Sequence, residues 1–168
     1  VLDCAVLAVS GPSGVQSHTY TLWKLLRQRN IPTFLFINKM DQPGTDKAVI
    51  MENLRQKLGD GFVDFTDIDA ESLAMCDETL LEEYLESGEV SEGAISAAIA
   101  NGKVFPCWFG AALKLEGVED FLEGLRKYAP STKEKEKFSA KVFKVSRDEQ
   151  GVRLTHLKVT GGTLKVRD

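Results

Sequence analysis

Two histidines and three cysteines are all that this 168-residue chain offers of the usual soft metal ligands, and they are scattered. His18 and His156 stand alone, and no Cys/His/carboxylate grouping has metal-ligand spacing, so a metal held by protein ligands is not expected. Cys4, Cys76 and Cys107 are odd in number and far apart, which argues against a disulfide framework and fits a reducing cytoplasm. No apolar run approaches the length of a membrane span, and no secretory h-region is present. An initiating methionine is also missing, so a piece of a longer protein is expected. Positive charge is absent from Leu58 to Asn101, where acidic residues from Asp60 to Glu92 accumulate. From Lys133 onward the balance reverses, with Lys137, Lys141, Lys144, Arg147, Arg153, Lys158, Lys165 and Arg167 among the basic residues. Such asymmetry fits a nucleic-acid-facing end, and it fits solvated faces of either sign equally well.

What is present reads as alternating strands and helices. Asp3 to Val9 is a short, almost wholly apolar strand, the kind buried on both faces of a parallel sheet. After "SGPSG" a helix carries Val15, Thr19, Leu22, Trp23 and Leu26 on one face and ends at Asn30 and Pro32. A second strand spans Thr33 to Ile37. Past Pro43-Gly44, Thr45 or Asp46 can cap a helix that bears Val49, Met51, Leu54 and Leu58 and stops at Gly59. The acidic stretch is expected to hold two short helices, about Glu78 to Leu85 and Glu92 to Ile99, the latter stopped at Asn101-Gly102. A third strand, Val104 to Phe109, leads past Gly117 into a helix through Val118, Phe121, Leu122 and Leu125, closed by Pro130. Three strand-then-helix units predict an α/β fold with a parallel sheet and right-handed crossovers. Beyond a charged linker at 131–137, the period-two runs "FSAKVFKVS" and "VRLTHLKV", followed by "TLKV", read as antiparallel β. So short a set cannot close a core, and it reads as the start of a barrel over 138–168.

The chemistry lies at the exit of the second strand. In open α/β sheets, ligands sit beyond the carboxyl ends of the strands, and there the chain places Asn38, Lys39 and Asp41. A carboxylate at this point can accept two parallel hydrogen bonds from guanine, from N1–H and from the 2-amino group. Adenine, with an acceptor at N1 and no 2-amino group, would leave the carboxylate unpaired. Polar pairing of that kind discriminates by roughly 10⁴ or more. The Lys39 stem can lie along the flat base and the Asn38 amide can brace the loop. Four residues are a weak pattern alone, but at the end of a buried strand in a βαβ series they become specific. A polar strand exit with Asp41 as a helix cap accounts for Asp41 and not for its two neighbours together.

"DCAVLAVSGPSGVQSHT", "IPTFLFINKMDQPGTD" and "VFPCWFGAALKLEGVEDFLEGL" closely resemble the GTP-binding domain of ribosomal translocation-type GTPases. That group includes elongation factor G and the tetracycline-resistance ribosomal protection proteins. "FSAKVFKVSRDEQGVRLTHLKVTGGTLKVRD" is similar to the opening strands of the family's second domain, a β-barrel. The resemblance covers nearly the whole chain, least well between Phe62 and Met75. It implies a partial P-loop-NTPase-like sheet with flanking helices: residues 1–130 as the C-terminal part of the GTP-binding domain, 131–137 as linker and 138–168 as barrel start. It places the family's guanine motif on Asn38, Lys39 and Asp41, and its second base-binding loop on Gly110, Ala111 and Ala112. In that loop the Ala112 N–H would meet the base O6. Ala111 departs from the usual serine and removes a hydroxyl that braces the loop.

The family's other half has no counterpart in this sequence. No Walker A segment occurs, and "GPSG" at Gly11 to Gly14 is not followed by lysine. The switch regions of the family would lie before Val1, so phosphate, Mg²⁺ and hydrolysis would depend on an N-terminal half, and no catalytic residue is expected here. The strand from Asp3 to Val9 would then be left with an unpaired edge. The resemblance implies GTP or GDP as ligand, the ribosome and its RNA as partner, a cytoplasmic location, and neither membrane nor DNA. Two alternatives remain: a ribosome-binding module whose nucleotide site is degenerate, and an unrelated α/β enzyme such as a dinucleotide oxidoreductase, for which no Gly-x-Gly-x-x-Gly is present.

Overall fold

The computed structural model describes residues 2–130 and 136–166. Cys4–Pro130 make one compact unit and the chain from 136 onward belongs to another. Apart from 136 and 137, the expected linker lies outside the described residues, as do Lys133, Lys135 and Arg167.

The first unit runs β1 (Ala5–Ser10), α1 (Ser17–Gln28), β2 (Thr33–Asn38), α2 (Lys47–Leu58), β3 (Phe62–Asp64), α3 (Ala70–Ala74), α4 (Glu78–Ser87), α5 (Glu92–Ala100), β4 (Phe105–Phe109) and α6 (Val118–Tyr128). Its four strands lie in the order β1-β2-β4-β3, and every pairing is parallel. β2 is central and buried from Thr33 to Ile37, as expected for an apolar run covered on both faces. Alternation along the strand sends Leu35 and Ile37 to one layer and Phe34 and Phe36 to the other. The first layer is completed by Val15, Trp23, Ile50, Met51 and Leu54, on and beside α1 and α2. The second collects Leu73, Leu80, Ile95, Ile99, Phe121 and Tyr128 from the helices α3 to α6, around Trp108.

Local chemistry sets the helix ends. Asp46 is the N-cap of α2, its carboxylate accepting from the Val49 N–H at 3.1 Å, and Gly59 ends that helix at φ 101°. The Trp23 indole N–H donates to the Leu58 carbonyl at 2.9 Å, so α1 satisfies an orphan acceptor in the last turn of α2.

Several sequence expectations need correction. The sheet has four strands rather than three, because Phe62–Asp64 pairs with β4 as the far edge. A three-residue strand is too short to show a period, which is why it passes unseen. The acidic stretch holds three helices, with α3 begun by Asp69, whose carboxylate accepts from the Ser72 N–H at 3.0 Å. The Ser72 hydroxyl and backbone bonds to that carboxylate hold it below its usual range. On α2 the inward face is Ile50, Met51 and Leu54, and Val49 is exposed; the i, i+4 step from Ile50 to Leu54 marks the true stripe. Leu22 and Leu122 are likewise exposed. At the opposite edge β1 buries Leu7 and Val9 while Val6 and Ala8 face out.

The second unit is an antiparallel pair, β5 (Ser139–Arg147) and β6 (Arg153–Gly161). Asp148 organises the turn by accepting from the N–H groups of Gln150 and Val152 at 3.0 and 2.8 Å. β5 is largely exposed, and β6 is part exposed and part half-buried, with Gly161 buried. Thr163 to Val166, expected as a strand, is not one, for it has no third strand to pair with among the described residues.

Packing around Trp108 yields a stability test. The Trp108 ring lies among Phe34, Phe65 and Phe121. A Cβ added to Gly124 of α6 would fall 2.1 Å from Trp108 Cζ2. Alanine at a helix position ordinarily gains about 1 kcal/mol over glycine. Here overpacking should outweigh that, so Gly124→Ala is expected to destabilise by about 1–3 kcal/mol in urea melts.

Candidate functional site

Asn38 ends β2, half-buried, where the apolar run meets solvent. Its Oδ1 accepts from the N–H of Lys39 at 2.8 Å and from the N–H of Ala112 at 2.9 Å. Two N–H donors on one atom fix which end of the amide is oxygen, and they leave Nδ2 as the donor end. One side chain thus ties the loop after β2 to the loop after β4.

Backbone bonds reinforce the tie. The Met40 N–H donates to the Gly110 carbonyl at 3.0 Å, and the Gly110 N–H to the Ile37 carbonyl at 2.9 Å. From the loop after β1, the Gly11 N–H donates to the Asn38 carbonyl at 2.8 Å. The Thr45 hydroxyl lies 2.9 Å from the Met40 carbonyl and 2.8 Å from that of Gln42, pinning the far side of the turn. Lys39 sits at φ 67°, a left-handed conformation that costs a non-glycine residue about 1–2 kcal/mol. Strain of this kind concentrates where geometry serves a function. Here it turns the chain so that an exposed lysine and a carboxylate follow Asn38 at the sheet's carboxyl end.

The second loop is equally constrained. Gly110 admits no side chain, since a Cβ would lie 2.2 Å from the Glu116 carbonyl oxygen and 2.9 Å from Phe36 Cζ. Ala111 is buried and its backbone closes the loop on Glu116, donating at 3.0 Å and accepting at 3.2 Å. Backbone bonds therefore shape this loop, and a methyl at 111 leaves no hydroxyl in need of a partner. A short 3-10 turn, Ala112–Lys114, follows and is reversed by Leu115 at φ 61°.

All six expected residues, Asn38, Lys39, Asp41, Gly110, Ala111 and Ala112, lie on these two interlocked loops. Two details differ from a bare, waiting pocket. The Ala112 N–H is held by Asn38, and the Asp41 carboxylate is held by Lys114, with Nζ 3.0 Å from Oδ2. Asp41 caps no helix; Asp46 does. Sequence reading missed Lys114, whose pairing with a residue so distant along the chain leaves no local signal. The other singled-out groups lie elsewhere: His18 and Gln16 are exposed at the start of α1, and Cys107 is fully buried in β4, where burial pushes its thiol far above the usual range. Among the described residues no three His, Cys, Asp or Glu side chains converge as a metal site, and no helix is long and apolar enough to cross a membrane.

Residues 1–131 match the family model of the elongation factor Tu GTP binding domain. The chain is 33% identical to the oxytetracycline resistance protein of Streptomyces rimosus, aligned over all of this chain and 30% of that protein. It is 30% identical to the tetracycline resistance protein TetS of Listeria monocytogenes, again over its whole length and 30% of the relative. A crystal structure of a Thermus thermophilus protein superposes with a TM-score of 0.75 at 25% identity, covering 99% of this chain and 33% of the other. The chain thus spans about a third of the length of the proteins it matches.

The double acceptor at Asn38 is directly testable. Asn38→Ala leaves the Lys39 and Ala112 N–H groups without it, at a cost of about 1–3 kcal/mol. Asn38→Asp keeps an acceptor oxygen. Urea melts should show the loss for alanine and most of the stability restored by aspartate, and amide exchange at Ala112 should accelerate in the alanine variant alone.

Proposed function

The chain belongs to the elongation factor Tu GTP-binding domain family, and on that premise we propose that its two interlocked loops read the guanine base of GTP and GDP. The observation that carries the proposal is the Asn38–Ala112 hydrogen bond, which brings both loops to one place at the carboxyl end of the sheet. Guanine presents donors at N1 and its 2-amino group and acceptors at O6 and N7. Asp41 offers two acceptor oxygens to the donor edge. The Asn38 Nδ2 is the donor suited to the acceptor edge, the Ala112 N–H being taken by Asn38 Oδ1, and Lys39 supplies an aliphatic stem for the flat face. The donor edge and the acceptor edge of the base thereby have chemical complements in Asp41 and Asn38, with Gly110, Ala111 and Ala112 giving the second loop its shape.

The wider role follows from the relatives. We place the chain in a ribosome-associated GTPase of translation, of the tetracycline-resistance ribosomal protection or elongation-factor-G type, acting in the cytoplasm. In such a protein GTP is hydrolysed to GDP and phosphate, and the phosphates and Mg²⁺ are gripped by a Walker A loop and switch regions, none of which this sequence contains. This chain's share is to bind and orient the base. Residues 138–168 are read as the first strands of the barrel domain. β5 and β6 set Arg147 opposite Arg153, and Lys141 opposite Lys158, which the Asp3 carboxylate also pairs. Like charges facing across a ladder destabilise it, and a polyanion such as ribosomal RNA would relieve that cost.

Asp41→Asn tests the base assignment. Xanthine has a carbonyl where guanine has its 2-amino group, so the asparagine amide becomes the matching partner. Charge-assisted hydrogen bonds are worth about 1.5–3 kcal/mol each. The variant is expected to shift preference from GDP toward xanthosine diphosphate by on the order of tenfold or more in a competition assay. Unchanged preference would remove Asp41 from the site.

A further inference from the structure

The base-reading carboxylate is already occupied. Lys114 Nζ stands 3.0 Å from Asp41 Oδ2, and the pair is only partly shielded, with the lysine side chain 53% and the aspartate 27% exposed. The Asp41 hydrogen bond and charge, with Glu116 as a further acidic neighbour, hold the lysine amine above its usual range. The backbone that carries Lys114 is fixed. Lys114 N–H donates to the Ala111 carbonyl at 2.9 Å, Leu115 N–H to that of Ala112 at 3.2 Å, and Glu116 closes back on Ala111. Leu115 locks the reversal in the left-handed region. What is free to move is the lysine's long side chain.

We propose that Lys114 is an internal stand-in for the base: it pairs with Asp41 in the empty site and swings off into solvent when guanine arrives. This rests on the guanine reading given above. An ammonium on Oδ2 satisfies the same acceptor that a guanine N–H would use, so the two compete for it. An exposed ion pair contributes little net stability, which makes it a cheap occupant to displace. A lone ionised carboxylate would otherwise face the second loop unpaired. The amine keeps it compensated without a backbone rearrangement, so base entry exchanges one partner for another locally. Lys114 is therefore a residue that sets affinity, and its removal should tighten binding.

The test combines lysine reactivity with affinity, using GDP and ADP as probes and the full chain. Acetylation of Lys114 by an N-hydroxysuccinimide ester, read by mass spectrometry, should be severalfold slower in the nucleotide-free chain than in Asp41→Asn. Saturating GDP should accelerate it severalfold, and ADP should not. By calorimetry or fluorescence, Lys114→Ala should bind GDP about two- to fivefold more tightly at low salt, as expected for removal of a competing exposed pair. The difference should fade at high salt as the pair is screened. GDP binding that leaves Lys114 reactivity unchanged or lowered, or weaker binding by Lys114→Ala, would overturn the stand-in and make Lys114 a residue that positions Asp41. Equal acceleration of Lys114 acetylation by GDP and ADP would overturn the guanine reading, and this one with it.

Discussion

One carbonyl oxygen, Oδ1 of Asn38, holds together the N–H groups of Lys39 and Ala112, residues on loops that follow different strands. The rest of the site depends on it. It supports the strained backbone of Lys39, and it sets the second loop against the first. Because β2 is an interior strand buried from Thr33 to Ile37, Asn38 is delivered by an element held on both faces of the sheet. Precision at a binding site comes from such support, with a side chain fixed by a strand that cannot shift without disturbing both core layers.

The fold positions this tie by covering both sheet faces unequally. α1 and α2 close one layer around Leu35, Ile37 and Leu54. α3 to α6 close the other around Phe34, Phe36 and Trp108. Gly110 and Gly124 occupy points where backbone meets an aromatic ring too closely for any Cβ. Gly110 lets the second loop close on the Glu116 carbonyl and pack against Phe36, so loop placement and core packing meet at one residue.

Much of this was legible in the sequence, for identifiable reasons. The alternation of short apolar runs with 3.6-period helices announced the parallel sheet, and Asp46, Gly59 and Gly117 marked helix ends by known cap chemistry. The place of Asn38, Lys39 and Asp41 beyond the sheet's carboxyl end was legible because the apolar run from Thr33 to Ile37 stops just before them. β3 and α3 were not, since three and five residues carry too little period. The exposed Val49, Leu22 and Leu122 show the limit of reading apolar residues as core when the stripe's exact face is set by partners. Lys114 on Asp41 was invisible because it is a tertiary pairing between charges that each look solvated alone.

Asp41 and its neighbours are read as a donor-edge reader, and the most direct measurement is the ratio of dissociation constants for GDP and inosine diphosphate on this chain. The two nucleotides differ only in the 2-amino group. If the Asp41 carboxylate accepts from that group, inosine diphosphate should bind about tenfold or more weakly, the worth of one charge-assisted hydrogen bond. Equal affinities would contradict the account, because they would mean that the carboxylate never meets the base.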